Sequence, residues 1–281
     1  MSAVLKTSGD REVERGIVLR TRGLRHGPIN RLVSPSDIGE LIKPFVFLDL
    51  FDLSAASAPN FGWHPHSGIA TLTVVQEGAI EYEETTGAKG TLTAGGVEWM
   101  QAGRGVWHTG TASQQAKGFQ LWLALPEELE NAPCQSHYLS PDEVPEEKPA
   151  RVILGSYGRA KSAIAAPASI NYLDVQLAAG ERWTYQPPAD HPVAWIGVSK
   201  GKLRAPEPIV AGELAVFEES SGAIAIQADQ ASRFVLGSAA KHPHDLVLGR
   251  YSVHTSRAAL AAGETEIQRI GNQMAAAGLL R

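Results

Sequence analysis

The run FGWHPHSGIATLTVVQEG (residues 61–78) contains the clearest indication of the fold. A His-Pro-His triplet stands directly before a run rich in threonine and branched aliphatic residues, and the run ends at a glycine. This pattern is typical of a β-strand that leads into a turn. In an extended segment, residues i and i+2 point to the same side, so the side chains of His64 and His66 are predicted to face one point.

Short glycine-bounded runs of the same kind lie on both sides of this stretch. In the first half they are GIVLRTRG (16–23), KPFVFLDLF (43–51), AIEYEETTG (79–87), GTLTAGGVEWM (90–100) and FQLWLALP (119–126). Several of them alternate apolar and polar residues, as half-buried strands do. The spacing of the turns suits a sandwich or a barrel.

The second half repeats this arrangement. The runs TLTVVQEG-AIEY (71–82) and TLTAGGVEWM (91–100) are echoed by AWIGVSKG-KLRA (194–205) and PIVAGELAVF (208–217). Each copy contains two strands joined by a glycine turn, then a glycine-containing turn into a further apolar strand. An internal repeat of this kind indicates duplicated β-domains, so the sequence predicts an all-β fold with two barrels in tandem.

A change of composition separates the two halves. Residues 126–150 are rich in proline and acidic side chains, as expected of a connector between domains. We therefore expect an N-terminal barrel over residues 1–130, an acidic Pro-rich linker over 131–155 and a C-terminal barrel over 156–255. Residues 256–281 are predicted to be helical, with Ser256 as the N-cap and Gly263 as an interruption.

The composition is that of an ordinary globular protein. Of 281 residues, 43% are hydrophobic and 20% are charged, and the net charge of −5 argues against a general electrostatic grip on nucleic acid. The single cysteine, Cys134, fits a reducing compartment. The polar N-terminus lacks the apolar run of a signal peptide, and no stretch has the length of a membrane span. We expect a cytoplasmic protein without membrane contact.

A third histidine can complete a metal site. His108 ends the run QAGRGVWH, and strands that are distant in sequence can be neighbours in a barrel. Three imidazoles suit iron, zinc, nickel or copper and leave positions open for substrate or water. The alternative is a surface triplet with an unrelated His108. A second triplet, His242-Pro243-His244, is predicted to be a surface connection, although spacing alone does not separate the two triplets.

A longer signature separates them. The runs KPFVFLDLFD, FGWHPHSGIATLTVVQEG, LTAGGVEWMQAGRGVWH and GFQLWLALP, in this order between Lys43 and Leu125, resemble the pirin family closely. The family pattern is HPH-x-G, a threonine-rich strand ending in EG, and a glycine-containing turn into WM-x-AG-x-G-x-x-H. The resemblance continues more weakly to YSVHTS (251–256) and the C-terminal helix.

This resemblance implies two cupin barrels, each a double-stranded β-helix, that face each other. It implies a single metal in the N-terminal barrel, with Fe(II) expected ahead of another divalent transition metal or none. The metal ligands would be His64, His66 and His108, and the second barrel would have no metal ligands. The implied activities are cleavage of flavonols such as quercetin by dioxygen and, in some members, a partner role in transcriptional regulation.

Two positions depart from the family pattern. Gly110 stands where the family has a fourth, glutamate ligand, and Ala70 stands where it has another glutamate. The site could therefore be a three-histidine iron centre, a metal site without flavonol cleavage, or a degenerate and often empty site. Replacement carboxylates could come from Glu81, Glu83 or Glu98, although each is predicted to be a solvated strand residue.

Large aromatic residues surround the histidine segments, and most are predicted to fill the barrel core. Trp63 and Trp107 adjoin the histidines and, with Gln101, are the candidates for a substrate pocket.

The function predicted from these observations is a quercetin 2,3-dioxygenase-type oxidoreductase acting on a flavonol-like or other small aromatic substrate. The alternative is a non-catalytic binding or regulatory protein with a protein partner. The sequence leaves the substrate and the oligomeric state open.

Overall fold

The computed structural model describes residues 15–53, 62–112 and 115–280. The strands of the first half are β1 (Ile17–Thr21), β2 (Leu24–His26), β3 (Ile29–Val33), β4 (Phe45–Leu53), β5 (His64–His66), β6 (Ile69–Glu84), β7 (Lys89–Thr93), β8 (Val97–Gln101), β9 (Val106–Thr111), β10 (Ala116–Ala124) and β11 (Gln135–Leu139). Those of the second half are β12 (Glu146–Glu147), β13 (Ala150–Leu154), β14 (Ser156–Tyr157), β15 (Ala160–Lys161), β16 (Ile170–Leu177), β17 (Arg182–Tyr185), β18 (Val193–Lys200), β19 (Lys202–Arg204), β20 (Pro208–Val210), β21 (Leu214–Phe217), β22 (Ile224–Ala228), β23 (Ser232–Ala239), β24 (Val247–Leu248) and β25 (Val253–His254). Two helices are described, α1 (Ile38–Ile42) and α2 (Arg257–Ala276).

The strands form two barrels, which confirms the all-β fold with a C-terminal helix. The large sheet of the first barrel has the order β11-β8-β6-β10-β4-β3-β2. The other wall of this barrel consists of residues 79–84 of the long strand β6, together with β7 and β9. Strand β9 also pairs with β5. The second barrel combines a sheet of order β1-β21-β18-β23-β16-β13-β12 with a smaller sheet of order β17-β22-β19-β20.

The two large sheets pack against each other through a shared apolar core. Leu72 and Phe119 of the first sheet belong to the same buried cluster as Tyr172 and Trp195 of the second. The opposite face of each large sheet lines its own barrel. In the second barrel, aromatic and aliphatic side chains such as that of Trp183 fill this interior. In the first barrel the interior contains a cavity, described below.

The strand pairing differs from the predicted boundaries at both ends of the first barrel. Strand β1 pairs with β21 of the second sheet, although residues 1–130 were predicted to form the first barrel. The predicted linker, residues 131–155, contains β11, which pairs with β8, and β13, which pairs with β16. Strand β11 is a half-exposed edge strand, so its sequence QSHYL lacks the apolar pattern that would predict it.

The C-terminal helix is also more regular than the sequence suggests. The hydroxyl of Ser256 accepts a hydrogen bond from the backbone N–H of Ala259, as an N-cap does. The predicted interruption at Gly263 is wrong, because α2 runs through it without a break and buries it. In the part of the chain that the structure describes, no helix combines the length and apolar character needed to cross a membrane.

A buried ion pair of the second barrel forms hydrogen bonds with the first barrel. Asp174 on β16 is buried and accepts hydrogen bonds from Arg233 over 2.6 and 3.1 Å and from the amide of Gln76 on β6 over 2.8 Å. Arg233 also donates to the backbone carbonyl of Gln76 over 2.9 Å. Removing one member of a buried pair leaves the other charge without compensation, which is costly.

We therefore expect Asp174→Ala to lower the free energy of unfolding by about 3 to 5 kcal/mol, measured by urea denaturation. The control is Asp229→Ala, which removes the half-buried partner of Lys202 and Arg204 and should cost less than about 1 kcal/mol. Equal losses in the two variants would contradict the importance of the buried pair.

Candidate metal centre

The three predicted histidines come together on a two-stranded ribbon. Strands β5 and β9 run antiparallel, with His64 directly opposite His108 and His66 opposite Val106. The ring centroids are 4.4 Å apart for His64 and His108, 5.0 Å for His66 and His108, and 5.1 Å for His64 and His66. One nitrogen from each ring can be chosen so that all three lie within 4.8 Å of one another.

Hydrogen bonds fix which nitrogen of His64 and of His66 faces the centre. The Nδ1 atom of His66 lies 3.0 Å from the carbonyl oxygen of Tyr251, and the Nδ1 atom of His64 lies 3.0 Å from that of Gly62. A carbonyl only accepts, so both Nδ1 atoms carry the proton and the lone pairs lie on Nε2. Among the described residues, the buried Nε2 atom of His108 has no hydrogen-bond partner. An orphaned imidazole nitrogen beside two oriented imidazoles fits a transition-metal ion.

The surroundings keep the rings of His66 and His108 neutral. Burial, followed by the proximity of His64, lowers the pKa of His66 to about 3. Burial also lowers the pKa of His108 well below its ordinary value, with further contributions from His66 and His64. A neutral imidazole has the free lone pair that a metal ligand needs.

The prediction that Glu98 is a solvated strand residue is wrong. Glu98 is buried in the cavity wall, and its Oε1 atom lies 3.8 Å from Nδ1 of His108. Burial raises its pKa to about 7, against hydrogen bonds from Thr73 and Tyr138 that act to lower it. Every residue of the strand VEWMQ is buried, so no alternation in the sequence marks this position as buried. Glu81 and Glu83 are exposed, as predicted.

Glu98 belongs to a row of polar side chains that crosses the large sheet. Each member lies directly opposite the next on a neighbouring strand, in the order Arg31, Asp49, Gln120, Thr73, Glu98 and Tyr138. Within the row, Arg31 forms an ion pair with Asp49, and the Thr73 hydroxyl lies 2.7 Å from Oε1 of Gln120. Residues of the row line the same cavity as the histidines.

This cavity has a volume of about 440 Å³ and lies inside the first barrel. Next to the histidines, Phe47 and Trp122 stack with ring centroids 4.1 Å apart and an interplanar angle of 8°. Trp122 also meets His66 edge-on at 4.8 Å. The walls therefore combine flat aromatic surfaces with a polar row, which suits a small planar ligand carrying polar substituents.

The predicted pocket residues Trp63, Gln101 and Trp107 do not line this cavity. Side chains alternate along a strand, so the neighbours of inward-pointing histidines point outward. The indole N–H of Trp107 donates to the carbonyl of Ile267 in α2 over 2.8 Å. Gln101 lies opposite Ala70 on the core face of the sheet. Trp122 shares a strand face with Gln120 and lines the cavity, although most of these aromatic residues were predicted to fill the core.

The two departures from the family pattern have different meanings. Gly110 lines the cavity, and a Cβ atom there would lie 3.6 Å from Cγ2 of Ile80, which is ordinary contact. Ala70 belongs instead to the core between the sheets and does not line the cavity. A carboxylate is therefore missing from the cavity at Gly110, whereas Ala70 is a core residue.

The second triplet was predicted to be a surface connection, but His242 is buried and its backbone N–H donates to the carbonyl of Lys43 over 3.2 Å. Burial, followed by the charges of His244 and Lys43, lowers its pKa to about 4.

Because the pKa of His242 is lower in the folded state, the unfolded chain binds the proton more readily. Stability that is present above pH 6.5 is therefore lost as the pH falls towards about 4. We expect His242→Gln to lose less stability than the wild type between pH 7 and pH 4.5, measured by urea denaturation at both values. The same loss in both proteins would contradict this assignment.

Comparison with known proteins shows which family the chain resembles. The pirin family model matches residues 28–123. A pirin-like protein of Caulobacter vibrioides is 30% identical over 209 residues, which are 70% of this chain and 75% of the relative. A protein of Pseudomonas aeruginosa named "Putative quercetin 2,3-dioxygenase PA3240" is 32% identical over 228 residues, which are 74% of this chain and 79% of the relative.

Solved structures share the fold. A quercetin 2,3-dioxygenase from Acinetobacter baumannii superposes with a TM-score of 0.81 at 22% identity and covers 91% of this chain and 97% of its own. A bacterial pirin from Escherichia coli in complex with nickel(II) superposes with a TM-score of 0.63 at 21% identity, covering 82% and 97%. Sequence and fold agree, and the chain belongs to the pirin family of two-barrel cupins.

Proposed function

We propose that this pirin-family chain is a metal-dependent oxidoreductase that uses dioxygen to cleave a small aromatic, flavonol-like substrate in the cytoplasm. His64, His66 and His108 would hold the metal, with Fe(II) as the native ion. The observation that carries the proposal is the buried, unpartnered Nε2 atom of His108 beside two oriented imidazoles at a cavity of about 440 Å³. The relative in Pseudomonas aeruginosa whose name refers to quercetin dioxygenation supports the substrate class.

The residues around the histidines can bind and orient a planar substrate. The stacked pair Phe47 and Trp122 offers an apolar surface beside His66, against which an aromatic ring can pack. The polar row provides hydrogen-bond partners for substituents. The amide Nε2 atom of Gln120 is buried and has no partner among the described residues, so it can donate to an oxygen of the ligand.

Glu98 can act as the general base that the missing carboxylate at position 110 would have supplied. It lies in the cavity wall beside His108 and has a pKa of about 7, so it is partly ionised at neutral pH. A base with such a pKa can take the proton of a phenolic hydroxyl and return it later. When bound, a divalent metal supplies Lewis acidity towards an oxygen donor, which lowers the pKa of that hydroxyl.

The donor set also indicates the charge of the ligand. An imidazole ligand carries no charge, so three of them do not compensate the positive charge of a divalent ion, and Gly110 adds no carboxylate. An anionic oxygen donor such as a phenolate is therefore favoured in the remaining coordination positions.

The alternative function is a pirin-type binding or regulatory protein that presents its surface to a protein partner. The specific observation behind it is Gly110, because loss of a charged ligand weakens metal binding. The net charge of −5 gives no reason to expect direct binding to nucleic acid.

Metal analysis of protein purified without chelators, combined with oxygen consumption on quercetin, decides between these functions. We expect about one iron per chain and oxygen uptake in the wild type, and loss of both in His108→Ala, because one of the three ligands is removed. The control is His242→Ala, which should keep the metal. If the wild type has neither bound metal nor turnover, the oxidoreductase proposal is wrong and the binding or regulatory function is favoured.

A gain-of-function variant tests the role of the missing carboxylate. Gly110→Glu places a carboxyl group on the cavity wall where a Cβ atom meets only ordinary contacts at 3.6 and 4.0 Å. We expect at least a tenfold tighter Fe(II) or Ni²⁺ affinity, measured by competition with a chelator of known strength, because the charged ligand compensates the ion. The control, Gly110→Gln, has the same shape without the charge. If affinity is the same in the two variants, the charge at position 110 does not limit metal binding.

A further inference from the structure

The ribbon that carries the histidines is backed on its outer face by α2 and the segment before it. Two of the inward-pointing histidines, His66 and His108, have a neighbour that points outward. Ser67 follows His66, and Trp107 precedes His108. Both Ser67 and Trp107 contact the C-terminal part of the chain.

Ser67 lies at the end of a buried chain of hydrogen bonds. Its hydroxyl lies 2.8 Å from the hydroxyl of Ser252 and 3.0 Å from Nε2 of His254. The other ring nitrogen of His254 lies 3.1 Å from the carboxylate of Glu130. Glu130 and His254 are each 2% exposed, and Ser67 is fully buried. Buried polar networks that are fully satisfied are rigid and fix one arrangement.

The carboxylate of Glu130 also binds the segment that leads into α2. Glu130 accepts hydrogen bonds over 2.7 Å from both the backbone N–H and the hydroxyl of Thr255, directly before the N-cap of α2. Four residues before Thr255, the carbonyl of Tyr251 holds the Nδ1 atom of His66. The orientation of a predicted ligand is therefore tied to the placement of the segment that begins α2.

Two glycines let the helix approach the ribbon this closely. A Cβ atom at Gly263 would lie 2.5 Å from Oγ of Ser67 and 2.7 Å from Nε2 of His254. A Cβ atom at Gly271 would lie 2.7 Å from the ring of Trp107. Both positions would favour alanine on helix propensity alone, so contact with the ribbon explains the glycines better.

The arrangement of Ser67, His254 and Glu130 resembles the triad of a hydrolase, but it does not serve as one. The hydroxyl of Ser67 is fully buried beneath the helix. The backbone N–H of Gly68, the next residue, donates to the carbonyl of Gly103 over 2.7 Å, so it does not face an oxyanion. The side chains of Ser67, His254 and Glu130 therefore form hydrogen bonds within the network rather than with a substrate.

We propose that Glu130, His254, Ser67 and the glycine face of α2 are positioning residues of the histidine site, so that docking of α2 sets the orientation of His66. The proposal rests on the metal site proposed above. By linkage, a metal that binds the oriented site must in turn favour the docked helix.

The first test measures Ni²⁺ affinity by competition with a chelator. Gly263→Ala introduces a methyl group between α2 and Ser67, and Ser67→Ala removes the hydroxyl without adding bulk. We expect both variants to bind Ni²⁺ about 10- to 100-fold more weakly, as losses of residues that orient metal ligands do. The control is Gln273→Ala, on the exposed face of α2, which should bind as the wild type does. Circular dichroism confirms that each variant is folded under the assay conditions.

The second test needs no metal. In the metal-free wild type, the His66 Nδ1 proton, bonded to Tyr251, should give an imidazole NMR signal protected from exchange with water. In Gly263→Ala this signal should broaden or exchange faster, and in Gln273→Ala it should persist. An unchanged His66 signal in Gly263→Ala, together with unchanged Ni²⁺ affinity in Gly263→Ala and Ser67→Ala, overturns the positioning role. If the wild type binds no Ni²⁺ but the NMR signal responds to Gly263→Ala, the metal proposal fails while the helix still positions His66.

Discussion

The pairing of β5 with β9 is the constraint on which the site depends. It places His64 opposite His108 and brings two segments more than forty residues apart in sequence to one point. Strand β9 is paired with β6 on its other side, whereas β5 pairs only with β9 among the described strands. Side chains on the outer face of the ribbon add contacts with the C-terminal part of the chain, from Ser67 through His254 to Glu130 and from Trp107 to α2.

Strand alternation then divides the first barrel into two environments. On β4, β6 and β10, one set of side chains enters the core shared by the barrels and the other set faces the cavity. This division explains why Ala70 and Gln101 have no role in the cavity, while Glu98 and Trp122 line it. The second barrel uses the same architecture but fills its interior with bulky side chains. A duplicated fold thus provides one packed barrel and one barrel with a polar, histidine-bearing cavity.

The sequence predicts what depends on local periodicity and composition. The repeat predicts two barrels, the triplet predicts the convergence of His64 and His66, and the family signature selects this triplet over His242 and His244. The burial of Glu98 was not predictable in this way, because both faces of β8 are buried and the strand shows no alternation. Gly263 has the sequence pattern of a helix interruption, yet its role depends on a contact with Ser67, nearly two hundred residues away. Tertiary contacts of this kind override local propensity.

We propose that His64, His66 and His108 form the metal site of this pirin-family protein. An anomalous-scattering map of crystals grown from protein purified without chelators, collected above and below the iron absorption edge, tests it most directly. We expect one peak per chain, bounded by the Nε2 atoms of His64, His66 and His108. A map without a peak at these rings, or with its peak at His242 and His244, would contradict the claim.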